Sequence, residues 1–306
     1  MTKVAIAILN WQQAKLTQET IASIKKIKTP NFSYHIYLLD NGSADDSYSV
    51  LHKAYSKDKQ VTLIHSSTNL GFASGNNFLF KKIPLSLYKY VLMINNDVLV
   101  DSLFLKVLID TAKKYPKFSL LGPKIYFAPG HEYHKHRYKN SEKGKVIWSA
   151  GGTIDWQNVY GSNRGIDEID TGQYDKIDNQ IDFLSGCAIL IKVPVLKRLN
   201  YFDGRYYMYL EDADLCQQAK KNKYQIAYVP KSKIWHINSG SSSAGSSLHD
   251  YFLTRNRILF ASKFTPLKTK LAILRQAFSI IFKSKSNWQK RGIVDAFIGR
   301  WGRGSW

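Results

Sequence analysis

Val4-Ala5-Ile6-Ala7-Ile8-Leu9 is an apolar run without alternation, and it stops at the polar Asn10. A strand covered by helices on both faces of a parallel sheet needs this pattern, because neither side of it meets water. Leu16, Thr20, Ile21, Ile24 and Ile27 then recur at helical spacing. Pro30 and Asn31 break that run, and Tyr34 to Leu39 form a second apolar strand ending at Asp40. The same alternation predicts strands at Val61 to His65 and Tyr90 to Ile94, with helices over Ser74 to Lys82 and Leu103 to Tyr115. The expected fold is α/β, a mostly parallel sheet flanked by helices.

In such sheets ligands collect beyond the carboxyl ends of the strands. The polar residues that close the strands are Asn10, the stretch Asp40-Asn41-Gly42-Ser43, and Asn95-Asn96-Asp97. These three ends are the first place to look for a site.

The chain has 306 residues, two cysteines and 15 Phe, 19 Tyr and 7 Trp. That excludes a disulfide-stapled module and a disordered basic protein, and it allows one large domain or two. No window has the ~18 apolar residues of a membrane-spanning helix, and no charged-then-apolar leader opens the sequence, so a cytoplasmic chain is expected. The formal net charge is +21, which favours polyanions without choosing among them. Residues 255–306 hold 12 Lys/Arg and one acid, so they carry +11 and the preceding residues +10.

Residues 128–181 replace apolar runs with Gly, Asn, Asp and Tyr and read as a mobile insertion. A strand from Phe183 to Lys192 and a helix around Val195 to Leu199 follow. Glu211-Asp212-Ala213-Asp214 then opens a helix running to about Lys221, Tyr224 to Val229 reads as a strand, and Ser239 to Ser247 as a flexible loop.

Four clusters could carry chemistry. Asn95 and Asp97 offer oxygen ligands suited to Mg2+ or Mn2+, although the same residues also make ordinary turns. Asp212 sits over Leu215, Cys216 and Ala219, so it should point inward, where desolvation raises a carboxylate pKa toward that of a base; capping the helix is the other reading. His236 could add a nitrogen ligand or simply pack beside Trp235. Asn69 to Asn77 is a Gly-rich turn entering a helix, without the spacing of a Walker or dinucleotide motif. His131, His134 and His136 lie in a basic loop and are set aside.

Taken in order, these pieces resemble the family 2 inverting glycosyltransferases of GT-A (Rossmann-like) fold, and among them the bacterial rhamnosyltransferase-like group. The match is carried by Asn10-Trp11, Leu39-Asp40-Asn41-Gly42-Ser43, Asn69-Leu70-Gly71-Phe72 with Gly75-Asn76-Asn77, Asn95-Asn96-Asp97, Phe202-Asp203 with Tyr209-Leu210-Glu211-Asp212-Ala213-Asp214, and Trp235-His236. The resemblance implies that Asn10, Asp40, Asn41 and Ser43 hold the nucleoside of a dTDP- or UDP-sugar, with Asn69, Gly75 and Asn77 nearby. It implies that Asn95, Asn96, Asp97 and His236 hold the diphosphate and a divalent cation, with Asn95 where the family has an acid. It also implies that Asp212 is the general base and that Glu211 orients the site. The expected donor is dTDP-L-rhamnose, with UDP-linked galactofuranose, glucose or N-acetylglucosamine as alternatives, and the acceptor is a saccharide, free or lipid-linked. A non-catalytic basic nucleic-acid- or nucleotide-binding protein is the rival class, but no basic-aromatic nucleic-acid-binding module is found.

The resemblance covers about residues 3–257, which sets the expected transferase domain at 1–257. Beyond it, Leu267, Leu271, Leu274, Phe278, Ile281 and Phe282 share one helical face, with Lys and Arg around the remainder. Residues 258–306 are therefore expected to form a basic amphipathic helical segment. It would lie peripherally on an anionic membrane surface, the inner face of the cell membrane, or pack on the domain.

Overall fold

The opening run forms β1 (Thr2–Asn10), and its side chains divide between two cores. Val4, Ile6 and Ile8 join one apolar cluster, while Ala5 and Ala7 join the other. The computed structural model describes residues 1–134, 136–237 and 246–306. After β1 come α1 (Ala14–Ile24), β2 (Phe32–Asn41), α2 (Ser47–Tyr55), β3 (Val61–Ser66), α3 (Gly71–Lys82) and β4 (Tyr90–Asn95). β2 and β4 flank β1 in parallel, and β3 pairs in parallel with β2. The register sets Asn10 opposite Asp40 and Leu9 opposite Asn95, so the polar strand ends meet along one edge. Small residues let α3 approach this edge. A Cβ on Gly75 would lie 2.5 Å from Leu9 Cδ1.

The second half of the sheet is mixed. β5 (Val98–Val100), α4 (Phe104–Lys114) and β6 (Phe118–Phe127) lead to β7 (Ile147–Ser149) and to the hairpin of β8 (Gly152–Asp155) and β9 (Tyr160–Asn163). β10 (Ala188–Lys192), α5 (Val193–Arg198), α6 (Glu211–Lys221) and β11 (Gln225–His236) follow. The large sheet runs β3-β2-β1-β4-β10-β6-β11-β5, with β7 beside β6. β10 is antiparallel to both of its neighbours, β11 is parallel to β6, and β5 is antiparallel to β11. α4 shows why helices cover the sheet. Its Phe104, Leu105, Leu108, Ile109 and Ala112 are buried at helical spacing, each large one contributing about 1.5–3 kcal/mol by leaving water.

The insertion expected to be mobile is built into the core instead. Val146, Ile147, Ala150, Ile154 and Val159 are buried, and β7 extends the large sheet. Lys124, fully buried on β6, reaches Asp170 at 2.8 Å and Asp175 at 2.6 Å. A buried cation requires such partners, so these acids fasten the segment to the sheet. Gly152 must be small, since a Cβ there would meet the Phe183 ring at 2.3 Å. The polar composition misled because the segment's apolar residues are spread among tight turns.

Of the stretch expected to be a flexible loop, residues 239–245 lie outside the described residues. α7 (Ser247–Phe264) runs without a break through residue 257, where the sequence reading ended the transferase domain. α8 (Leu267–Lys283) and α9 (Asn287–Phe297) pack on it. The α7–α9 approach is tight, for a Cβ on Gly292 would lie 2.6 Å from the Tyr251 carbonyl oxygen. No helix among the described residues is long and apolar enough to cross a membrane.

Candidate active site

A cleft of about 430 Å3 opens at the carboxyl ends of the strands. It is lined by Asn95, Asn96 and Asp97, by Glu211 and Asp212, and by His236 at the end of β11. The pairing of β11 with β5, which sets His236 opposite Val98, brings His236 beside Asp97. The Ile237 N–H donates to the Asp97 carbonyl at 2.7 Å and fixes the juxtaposition. His236 Nε2 lies 3.4 Å from Asp97 Oδ2. Asp97 Oδ1 and His236 Nδ1 are buried and have no hydrogen-bond partner. Unsatisfied buried polar atoms are costly, and a carboxylate oxygen with an imidazole nitrogen is a donor set that suits a divalent cation. Among the described residues no cluster of three or more His, Cys, Asp or Glu could hold a metal by itself. The remaining ligands of any cation here would have to be a substrate's oxygens or water.

Asp212 faces the cleft from the first turn of α6. Its Oδ2 accepts the Gly186 N–H at 2.8 Å, and its Oδ1 accepts the Ala213 N–H at 2.7 Å. Glu211 is buried beside it, with Oε2 lacking a partner. Burial pushes both carboxyls above the usual range, and the neighbouring Asp212 charge pushes Glu211 further still. The Gly186 and Ala213 N–H groups donate to Asp212, which favours its charged form. Within the adjacent pair, Glu211 is therefore pushed upward more strongly than Asp212. Asp214 serves the fold. It is buried, takes the Tyr206 hydroxyl at 2.8 Å and pairs with Lys263.

The expected nucleoside residues are placed differently from one another. Asn10 and Asp40 are fully buried. Asp40 Oδ2 accepts from Asn10 Nδ2 at 2.8 Å and from Ser43 Oγ at 2.7 Å, while Oδ1 lies 3.2 Å from both the Ser43 N–H and His65 Nδ1. Asp40 thus ties the end of β2 to Asn10, Ser43 and His65, beside the strand ends where the nucleoside contact is expected. Ser43 Oγ also receives the Gln12 N–H at 2.9 Å and so positions the Trp11-Gln12-Gln13 segment that lines the cleft. Asn41 bonds to Asn69 Oδ1 at 3.1 Å and to the Leu70 N–H at 3.1 Å, tying β2 to the start of α3. Asn77 spends its amide on both backbone groups of Phe202, at 2.8 and 3.0 Å. Gly75 serves the close approach of α3. Asn41, Asn69, Gly75 and Asn77 thus hold β2, α3 and the Phe202 segment together next to the strand ends.

Several lining residues had no signal in the motifs. Ser185-Gly186-Cys187, expected within a strand, form the turn before β10 that supplies the Asp212 donor. Trp148 comes from β7, inside the insertion, and its ring centroid lies 4.8 Å from that of His236. Met208 and Leu248 also line the cleft, together with Tyr209 of the quoted motif.

The sequence profile described as Glycosyltransferase like family 2 matches residues 2–258. The chain is 24% identical over 226 residues to the N-acetylglucosaminyl-diphospho-decaprenol L-rhamnosyltransferase of Mycobacterium tuberculosis, covering 70% of each. It is 23% identical to the rhamnosyltransferase WbbL of Escherichia coli K12, covering 63% of this chain and 74% of that one. Among solved structures, S. aureus TarS 1–349 superposes with a TM-score of 0.58 at 15% identity, over 96% of this chain and 79% of TarS. GalNAc-T7 with UDP, GalNAc and Mn2+ gives 0.64 at 14%, over 94% and 58%. The chain belongs to glycosyltransferase family 2, as a GT-A-fold glycosyltransferase with a rhamnosyltransferase-like sequence.

Proposed function

We propose that this glycosyltransferase moves L-rhamnose from dTDP-L-rhamnose, with inversion, onto a lipid-linked saccharide in the building of cell-surface polysaccharide. The observation that carries the reading is the cleft in which Asp212 shares one cavity with Asp97 and His236. Inversion needs one base on the acceptor side and charge stabilisation on the leaving diphosphate. Asp212, held as a carboxylate by the Gly186 and Ala213 N–H groups, takes the acceptor hydroxyl proton. Burial and the neighbouring Asp212 push the Glu211 carboxyl upward, which disfavours a second buried charge beside the base. Asp97 and His236 would hold Mg2+ or Mn2+, with Asn95 beside them on the strand end; the cation supplies neutralisation of the departing diphosphate. Asn10, Asp40 and Ser43 fix the loop from Trp11 to Gln13, which is the surface offered to the nucleoside. The sugar and the lipid-linked acceptor follow the rhamnosyltransferase relatives. A UDP-sugar donor is the second reading, supported by the UDP bound in GalNAc-T7.

The acceptor's lipid agrees with the C-terminal helices. α8 turns Ile273 and Ala277 inward and leaves Leu267, Leu271, Phe278 and Phe282 exposed, with Phe282 at 81%. Phe297 of α9 stacks on Phe278 at 5.5 Å, and the neighbouring Ile298 is also exposed. Lys268, Lys270, Arg275, Lys283 and Lys285 border this patch in the sequence. An exposed apolar face set among cations is complementary to an anionic lipid surface, and we assign it that partner. The chain would then work peripherally on the cytoplasmic face of the membrane.

Release of nucleoside diphosphate from a panel of dTDP- and UDP-sugars, with Mn2+ or Mg2+ and a lipid-linked acceptor, tests the function. Turnover of dTDP-L-rhamnose above all others is expected. Preferred turnover of a UDP-sugar would establish the second reading, and no release from any donor would overturn both.

A further inference from the structure

The segment that delivers Asp212 has a backbone that side-chain-bearing residues avoid. Tyr207, Tyr209 and Leu210 have φ of +62°, +69° and +69°, in the left-handed region. Three such residues in four positions persist only if the surroundings hold them. On one side the start of α3 contributes, because the Phe72 and Ala73 N–H groups both donate to the Tyr207 carbonyl, at 2.7 and 3.2 Å. On the other side stands Asn256 of α7, fully buried. Its Nδ2 donates to the carbonyls of Tyr206 at 2.9 Å, Met208 at 2.7 Å and Tyr209 at 2.9 Å. The amide cannot turn over, since its Oδ1 accepts from Arg255 Nε at 3.0 Å. Arg255, also fully buried, continues the network to the carbonyls of Tyr206 at 3.1 Å and of Gly302 in the C-terminal tail at 2.7 Å.

We propose that Asn256, oriented by Arg255, is a positioning residue for sugar transfer: it holds the 206–209 backbone in the one conformation that points Met208 and Tyr209 into the cleft and starts α6 with Asp212 facing the acceptor. This rests on the reading of Asp212 as the base. Asn256 lies behind the cleft wall and is not among its lining residues. Its loss should therefore reach the reaction through the geometry of Asp212 and leave donor binding intact. The network also makes the last residues of the chain part of the support, because the Gly302 N–H returns a bond to the Arg205 carbonyl at 3.0 Å.

The test is steady-state kinetics and donor binding on Asn256→Ala and Asn256→Ser, each checked for a cooperative thermal transition and assayed well below it. Asn256→Ala should lose tenfold or more in kcat while the donor Kd stays within about twofold, and Asn256→Ser, which keeps one short donor, should retain more activity. In the Asp212→Asn background, Asn256→Ala should cause little further loss, because the two act through one step. A folded Asn256→Ala chain with wild-type kcat would overturn the proposal. So would a chain that fails to fold with either substitution, since Asn256 would then serve folding alone. Full turnover by Asp212→Asn would instead overturn the base assignment, a separate failure.

Discussion

The Gly186 N–H meets Asp212 Oδ2 at 2.8 Å, so the turn entering β10 and the first turn of α6 share one carboxylate. Burial raises the Asp212 pKa while this donor and the Ala213 N–H work against it, and the net direction is upward. The pH profile of kcat/KM should accordingly rise through an acid limb whose midpoint lies above the ordinary aspartate value of about 3.9. A profile already flat at pH 4 would remove Asp212 from the proton transfer.

Glu211 should make the fold less stable as pH rises. Its folded pKa is raised by burial and by Asp212, so the folded chain holds its proton longer than the unfolded chain does. Stability then falls from the unfolded value, about 4.3, upward until the folded pKa is passed. Glu211→Gln keeps the shape and removes the titration. Its Tm relative to wild type should increase between pH 4 and neutrality, as read by calorimetry; a difference independent of pH would mean Glu211 is not the proton holder.

Asp97 and His236 are testable without turnover. Mn2+ binding followed by electron paramagnetic resonance, with the donor diphosphate present, should weaken on the order of 10–100-fold or more in His236→Ala and Asp97→Ala. Unchanged Mn2+ affinity in both would place the cation elsewhere.

The exposed apolar face of α8 makes a prediction about lipid. The chain should float with vesicles containing anionic phospholipid and not with neutral ones, with about 1 kcal/mol gained per basic residue near the surface. Leu271→Glu with Phe278→Glu should abolish flotation. Loss of a dimer in those variants, seen by light scattering, with no vesicle binding by wild type, would assign the face to a second copy of the chain.

The parallel half of the sheet was legible because its strands are short apolar runs bounded by Asn, Asp and Pro, a pattern set locally. The places of Asp97 and His236 at strand ends and of Asp212 in the first turn of a helix were legible too, because the flanking apolar runs are local. What stayed hidden depends on contacts distant in sequence. The bonds from Asn10, Ser43 and His65 to the Asp40 oxygens could not be read from its place at the end of a strand. Lys124 gave no hint that it would lie under residues 166–178 paired with two acids. Trp148 sits in a polar-looking segment, and β6 (Phe118–Phe127), whose every residue is buried, was not anticipated because Gly122-Pro123 interrupts its apolar run. On α8 the periodicity was readable, but only packing could reveal that Ile273 and Ala277 face α7 while Phe278 and Phe282 face outward.

The central claim is that Asp212 removes the proton from the acceptor, and single-turnover transfer by Asp212→Asn measures it most directly. The amide keeps the size of the carboxylate and cannot accept the proton. Loss of about 10²–10⁴-fold in the transfer rate is expected, the range for a positioned general base, with donor affinity retained. Transfer at the wild-type rate by the folded variant would contradict the account.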